Sequence, residues 1–206
     1  MLEPNLDKYQ AIIFDLDGTL INSMVAHAAA WEQTCNKFNI PYDKEWLDDL
    51  GGMPSRKVAL EIIRRYALTI DPIAVTKDKI ANFEAIENKG NIIPQIYNLL
   101  KEYQRSKKIG IGTGAQYRHA KEILDATDIQ SRIEALVTSD DVENHKPNPD
   151  TFLRVAEKLN TDTEKCVVFE DTTIGRQAAN RAGMDCYLVK HGEIIDFYPA
   201  IKTREE

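Results

Sequence analysis

Short apolar runs alternating with helix-length stretches predict an α/β fold built on a Rossmann-like, mainly parallel sheet. Residues 20–88 break that rhythm and read as helices only, which predicts a small α-helical cap domain inserted into the sheet core. The chain has 206 residues, a length that suits one core with one inserted subdomain. The predicted core is then residues 1–19 with 89–206, and the predicted cap is 20–88.

The first run, Tyr9 to Phe14, is rich in branched residues and stops at Asp15, Asp17 and Gly18. A continuous apolar run of this kind fits a strand buried on both faces. Lys108–Ile111, Ala135–Val137, Cys166–Phe169 and Cys186–Val189 repeat the pattern. Between them, Ala115–Ala126, Pro149–Leu159 and Thr173–Ala182 have helical length, and Gly183 follows the last as a C-terminal cap. In the insert, Ser23 can cap a helix carrying Val25, Ala28, Trp31, Cys35 and Phe38. Val58, Ile62 and Tyr66 form a second stripe, and Asp71-Pro72 starts a helix bearing Ile73, Ile80 and Phe83.

The net charge is −7, which argues against a nucleic-acid partner, and no basic tail is present. Cys35, Cys166 and Cys186 show no CxxC spacing and read as small apolar residues in a reducing compartment. The first ten residues lack an apolar signal region, and no apolar run approaches the roughly 18 residues of a membrane span. A cytoplasmic monomer, with no membrane or nucleic-acid partner, is the expectation.

In an open parallel sheet, ligands bind beyond the carboxyl ends of the strands. Those ends carry Asp15-Leu16-Asp17-Gly18-Thr19, Gly112-Thr113-Gly114, His145-Lys146-Pro147 and Glu170-Asp171. Carboxylates crowded together require a compensating cation, and oxygen ligands of this kind select a hard one such as Mg2+. A lysine, a threonine and the amides where the Thr113-Gly114-Ala115 turn opens a helix suit phosphoryl oxygens. Anion site, metal site and free carboxylate together point to phosphoryl transfer.

These motifs resemble the haloacid dehalogenase superfamily, in the subgroup with a small helical cap after the first motif. DLDGT (15–19), GTG (112–114), HKPNPD (145–150) and FED (169–171) match its four motifs, and AGM (182–184) resembles a stretch common in the subgroup. Within the family the chain is most similar to β-phosphoglucomutases and small sugar phosphatases, including fructose-1-phosphatase-like members. The resemblance implies an aspartyl-phosphate phosphatase acting on a small phosphorylated metabolite, with a sugar phosphate as substrate. Asp15 would be the nucleophile and Asp17 the general acid and base. Asp15, the Asp17 carbonyl and Asp171 would bind Mg2+, with Glu170 as a further candidate. Thr113 and the Gly114 amide would hold phosphoryl oxygens, and Lys146 would offset their charge and keep Asp15 ionised.

His27 aligns with a cap histidine of these relatives. Asn22 stands where many carry Asp. Lys57, Arg56 and Lys79 could reach a substrate from the cap, although basic helix faces are commonly just solvated. His119, His145 and His191 lack ligand spacing and are assigned no metal. The main alternative is a β-phosphoglucomutase-type hexose-phosphate mutase; Thr19, where mutases often carry a bulky apolar residue, and Asn22 lean towards phosphatase. Asp17 argues against a dehalogenase, since halide needs no proton. A receiver-type phospho-Asp signalling module would carry its acidic pair and acceptor on different strands and has no cap.

Overall fold

A computed structural model describes residues 2–201. Among these residues six strands form one sheet: β1 (Ala11–Phe14), β2 (Lys108–Gly112), β3 (Ala135–Val137), β4 (Cys166–Glu170), β5 (Asp185–Lys190) and β6 (Glu193–Tyr198). Their order is β3-β2-β1-β4-β5-β6; the first five are parallel and β6 is antiparallel to β5. Among the described residues the eight α-helices are α1 (Met24–Lys37), α2 (Lys44–Asp49), α3 (Ser55–Arg65), α4 (Pro72–Glu84), α5 (Pro94–Tyr103), α6 (Tyr117–Asp125), α7 (Asp150–Lys158) and α8 (Thr173–Arg181). The mainly parallel α/β architecture is the one expected from sequence.

β1 is central because every residue in it is apolar and buried. Ile12 and Phe14 point into a cluster with Tyr97, Leu100, Ala120 and Leu124, from α5 and α6. Ala11 and Ile13 point the other way, against Phe152, Val155, Ala178 and Ala179 of α7 and α8. A strand covered on both faces has no polar side, which is why it reads as a continuous apolar run.

α1 to α4 pack on one another around two further clusters, one holding Trp31, Cys35, Val58, Ile62 and Val75, the other Ala26, Ala30 and Phe83. The chain enters and leaves this helical insert side by side. Asn22 donates its amide to Asn91 O at 2.9 Å, and Ile93 donates to Leu20 O at 2.8 Å. Three expectations fail locally. Val25 and Ile73 are exposed, because the helices bury Ala26, Ala30 and Val75 instead. Ser23 precedes α1 but makes no cap hydrogen bond, since its backbone is already helical (φ −94°, ψ −8°) and its hydroxyl points to a carboxylate. α6 also begins at Tyr117 rather than Ala115, so residues 113–116 are a free-standing turn. All three cysteines are buried and free. Among the described residues, no helix is long and apolar enough to cross a membrane.

The far end of the sheet offers a check on its electrostatics. Asp185 accepts from Lys8 Nζ (2.7 Å), the Tyr9 hydroxyl (2.6 Å) and the Ala200 amide (2.8 Å). Burial alone would raise its carboxyl, but the Lys8, Tyr9 and Ala200 donors outweigh it and hold the group below the ordinary range. The folded value lies below the unfolded one of about 3.9, so the stabilisation is complete above that value. It is lost as pH falls through the depressed value. Asp185→Asn is expected to cost about 1 kcal/mol at neutral pH in urea unfolding, with the deficit shrinking on acidification. A deficit that stays constant into the acid range would contradict this.

Candidate active site

Asp15 follows directly on β1, and its amide donates to Phe169 O at 2.9 Å, which fixes the turn against β4. Its side chain is buried. Lys146 Nζ donates to Asp15 Oδ1 at 2.6 Å and to Glu170 Oε1 at 2.8 Å, all within the interior. Glu170 Oε2 in turn accepts from the Thr172 amide (2.6 Å) and hydroxyl (2.8 Å). Both Glu170 oxygens are therefore committed to protein donors, and its main geometric role is to anchor Lys146.

Asp15, Glu170 and Asp171 present carboxylate oxygens within 4.8 Å of one another. Three carboxylates against one ammonium leave a local charge of −2, which suits a divalent cation. The carboxyls register the shortfall. Burial first, and then Glu170 against the opposing pull of Lys146, raises Asp15 to about 8. Burial, Glu170 and Asp15 push Asp171 well above the ordinary range. Lys146 pulls Asp15 down against the larger effect of burial, and shares its charge with Glu170. Gly18 gives the cluster room: its φ is +88°, and a Cβ there would lie 2.0 Å from Asp171 Oδ2. The donor set is all oxygen, the chemistry of Mg2+ rather than of a softer metal.

Asp17 faces a different environment. Ser23 Oγ donates to its Oδ1 at 2.6 Å, and His119 Nε2 donates to the same oxygen at 3.3 Å. His27 Nε2 stands 3.5 Å away without a formed hydrogen bond. Burial would raise Asp17, but His119 and His27 outweigh it and hold it well below the ordinary range. The buried Lys79 Nζ lies 2.8 Å from His27 Nδ1. Burial and the Lys79 charge lower His27 to about 4, so its ring is neutral. Two neighbouring acids are thus pushed apart, Asp15 up and Asp17 down.

On the other side, Thr113 is buried and its hydroxyl accepts from the Ala115 amide at 3.0 Å, which leaves its own proton free to donate. Among the described residues no acceptor takes the Gly114 amide. A cavity of about 300 Å3 joins Asp15, Asp17, Thr113 and Gly114 to Trp31, Arg56 and Phe83 of the insert. The loop between α2 and α3 closes over it: Gly52 lies beside Thr172 Oγ1 and the Lys146 stem. A Cβ on Gly114 would meet the Gly52 carbonyl oxygen at 2.1 Å, backbone against backbone. Gly114→Ala is therefore expected to push this loop off the core. Turnover per encounter should fall about 10- to 100-fold. The melting temperature should barely change, since the contact lies outside the apolar clusters. Kinetics and a melting curve on one sample check both.

The structure thus brings together Asp15, Asp17, Thr113, Gly114, Lys146, Glu170, Asp171 and His27. It does not bring in Asn22, which is exposed in the linker, or Lys57, which is not in the cavity wall. Arg56 lines the cavity, and Lys79 is buried rather than on a solvated face. His119 and Ser23 were missed as partners of Asp17. His119 sits in the first turn of the helix following the Thr113 strand end, a place that faces the site in a parallel sheet, and that position was its signal.

The profile of a family described as haloacid dehalogenase-like hydrolase matches residues 12–189. The fructose-1-phosphate phosphatase YqaB of Escherichia coli is 32% identical, over 89% of this chain and 98% of its own. The β-phosphoglucomutase of Bacillus subtilis is 28% identical, over 89% of this chain and 84% of its own. Among solved structures, a hydrolase from Pseudomonas syringae superposes with a TM-score of 0.77 at 28% identity, covering 86% of this chain and 83% of that one.

Proposed function

The chain belongs to the haloacid dehalogenase-like hydrolase family, and we propose that it is a Mg2+-dependent phosphatase of a small sugar phosphate, working through phosphorylated Asp15. The observation that carries this reading is the opposed pair on one turn. Asp15 sits in a cation-starved carboxylate cluster, while Asp17 is held by histidines two residues away. The placement, with one acid against the cation site and the other against the histidines, suits a nucleophile beside a separate proton carrier, and a cation held in the cluster would draw Asp15 to its ionised form. The similarity to a fructose-1-phosphate phosphatase over nearly its whole length supports the substrate class, and so does a cavity of about 300 Å3.

Asp15, Asp171 and the Asp17 main-chain carbonyl would hold one Mg2+, which when bound supplies the charge that lets one anion approach another. Asp15 Oδ2, the oxygen not committed to Lys146, attacks phosphorus. The bond to the leaving oxygen breaks as Asp17 gives it a proton; Asp17 would enter this step protonated, because the substrate's phosphoryl charge beside it raises its carboxyl. Asp17 then takes a proton from water, the water oxygen bonds to phosphorus, and the Asp15–phosphorus bond breaks to release phosphate. Thr113 and the Gly114 amide donate to the transferring oxygens, and Lys146 balances their charge.

Residues 20–88 would serve as a cap domain over a core of residues 1–19 and 89–206, shielding the acyl phosphate from bulk water. The separate apolar clusters and the paired linkers support this division. Three free buried cysteines support a reducing, cytoplasmic setting. Family membership leaves no place for the receiver-type reading. The mutase reading differs only in the acceptor of the phosphoryl group, and the similarity to a β-phosphoglucomutase keeps it in the same experiment.

That experiment offers fructose 1-phosphate, β-glucose 1-phosphate, 6-phosphogluconate and p-nitrophenyl phosphate, with Mg2+ or with a chelator. Mg2+-dependent phosphate release from a sugar phosphate is the expected result. Conversion of β-glucose 1-phosphate to glucose 6-phosphate without free phosphate would overturn it in favour of the mutase.

A further inference from the structure

Three polar groups approach Asp17, and all of them meet the same oxygen. Ser23 Oγ donates to Oδ1 at 2.6 Å, His119 Nε2 donates at 3.3 Å, and His27 Nε2 stands at 3.5 Å. A carboxylate only accepts, so His119 carries its proton on Nε2. Among the described residues no protein donor meets Asp17 Oδ2.

The two sides of the cavity meet at His119. It belongs to α6 of the sheet core, yet its ring lies edge-on to Phe83 (centroids 4.8 Å, 86°) and to His27 (5.9 Å, 89°) of the insert. Phe83 and His27 stack on each other at 4.2 Å and form a wall. His119 is a first-turn residue of α6 whose side chain is mostly covered. The wall is what keeps its imidazole turned onto Asp17.

Asp17, His27 and His119 also have the mutual spacing of metal ligands. The Lys79 ammonium at 2.8 Å from His27 Nδ1 argues otherwise: it can only donate there, so the neutral ring holds its single proton on Nε2. A metal would need a lone pair where that proton sits.

We infer that His119 is a positioning residue. Seated by Phe83 and His27 when the insert is closed, it rotates the Asp17 carboxylate so that Oδ2 alone faces the substrate's leaving oxygen. This rests on the phosphatase reading above for the proton-transfer step.

The test exploits the leaving group. An alkoxide leaves only with a proton, whereas p-nitrophenolate leaves as the anion. His119→Leu should lower kcat/KM for fructose 1-phosphate about 10- to 100-fold, while kcat/KM for p-nitrophenyl phosphate stays within about 3-fold. His119→Gln, whose amide nitrogen reaches where Nε2 was, should recover most of the loss. Equal losses on both substrates, or no loss on either, would overturn the inference. If the wild-type protein turns over neither substrate, the phosphatase reading fails instead, and 15N NMR of the imidazoles judges the contact alone. A fixed Nε2–H tautomer at His119 that becomes a mixture in Asp17→Ala supports the inference; a mixture already present in the wild-type protein overturns it.

Discussion

Asp15→Asn is expected to lower kcat for the best sugar phosphate by at least ~10^4-fold while leaving the protein folded. The amide is isosteric, and its oxygen can still accept from Lys146, as Oδ1 does at 2.6 Å. What it lacks is a nucleophilic lone pair with negative charge. Stability should hold or rise, because one of three mutually repelling carboxylates has gone and Asp15 is already strained towards its protonated form. Substrate affinity should be nearly unchanged, since Thr113, Gly114 and Lys146 remain. Phosphate release, a melting curve and a binding isotherm on the variant check the three parts. A residual rate within about tenfold of wild type would remove Asp15 from the nucleophile's role.

Lys146→Met should produce the largest loss of stability in the molecule. The lysine is fully buried between Asp15 and Glu170, and it is the ammonium that both carboxylates contact. Methionine fills similar space but leaves those groups, with Asp171 beside them, unpaired in the interior. Breaking a buried pair from one side costs about 3–5 kcal/mol. For a domain of this size, that is a drop of roughly 6–20 °C in melting temperature. The pH dependence has a definite sign. Without the ammonium, the folded carboxyl values rise further above their unfolded ones, so the penalty is largest at neutral and alkaline pH. It shrinks as pH falls towards about 4, where the unfolded carboxyls also protonate. Mg2+ should raise the melting temperature of this variant more than that of wild type, because the site is then one charge more negative. An unshifted melt would mean that the carboxylates are protonated throughout and that Lys146 is not their counter-ion.

How much of this was legible in the sequence depends on whether a feature is local. The five parallel strands were readable because burial on both faces forces continuous apolar runs, as in Ala11–Phe14. β6 was not, because it is an edge strand with only Ile194 buried and no such run. Its signal was the turn: His191 and Gly192 both take positive φ, the two-residue hairpin geometry. The carboxylate cluster was legible for a similar reason. Asp15, Asp17, Lys146, Glu170 and Asp171 all sit at or just beyond strand ends, and parallel topology sends those ends to one place.

The partners of Asp17 were not legible, since they depend on how the insert packs. Ser23 looked like a helix cap because serine before a helix usually is one, but its backbone is already helical (φ −94°, ψ −8°) and its hydroxyl turns to donate to Asp17 at 2.6 Å. Lys79 looked like a solvated residue on an amphipathic helix. Its burial against His27, Trp31 and Phe83 follows from the crossing of α1 and α4, which no local pattern records. Asn22 and Lys57 erred in the opposite direction: each lies near a site residue in sequence but outside the cavity wall in space.

The most direct test of the central claim is to catch the covalent step. Protein mixed with Mg2+ and fructose 1-phosphate, quenched in acid within milliseconds and digested, would be examined by mass spectrometry. A single added phosphoryl group on the peptide bearing Asp15, absent from Asp15→Asn and transient in the wild-type protein, is the predicted result. Full turnover with no phosphorylated peptide at any quench time, or with the phosphoryl group on another residue, would contradict the account.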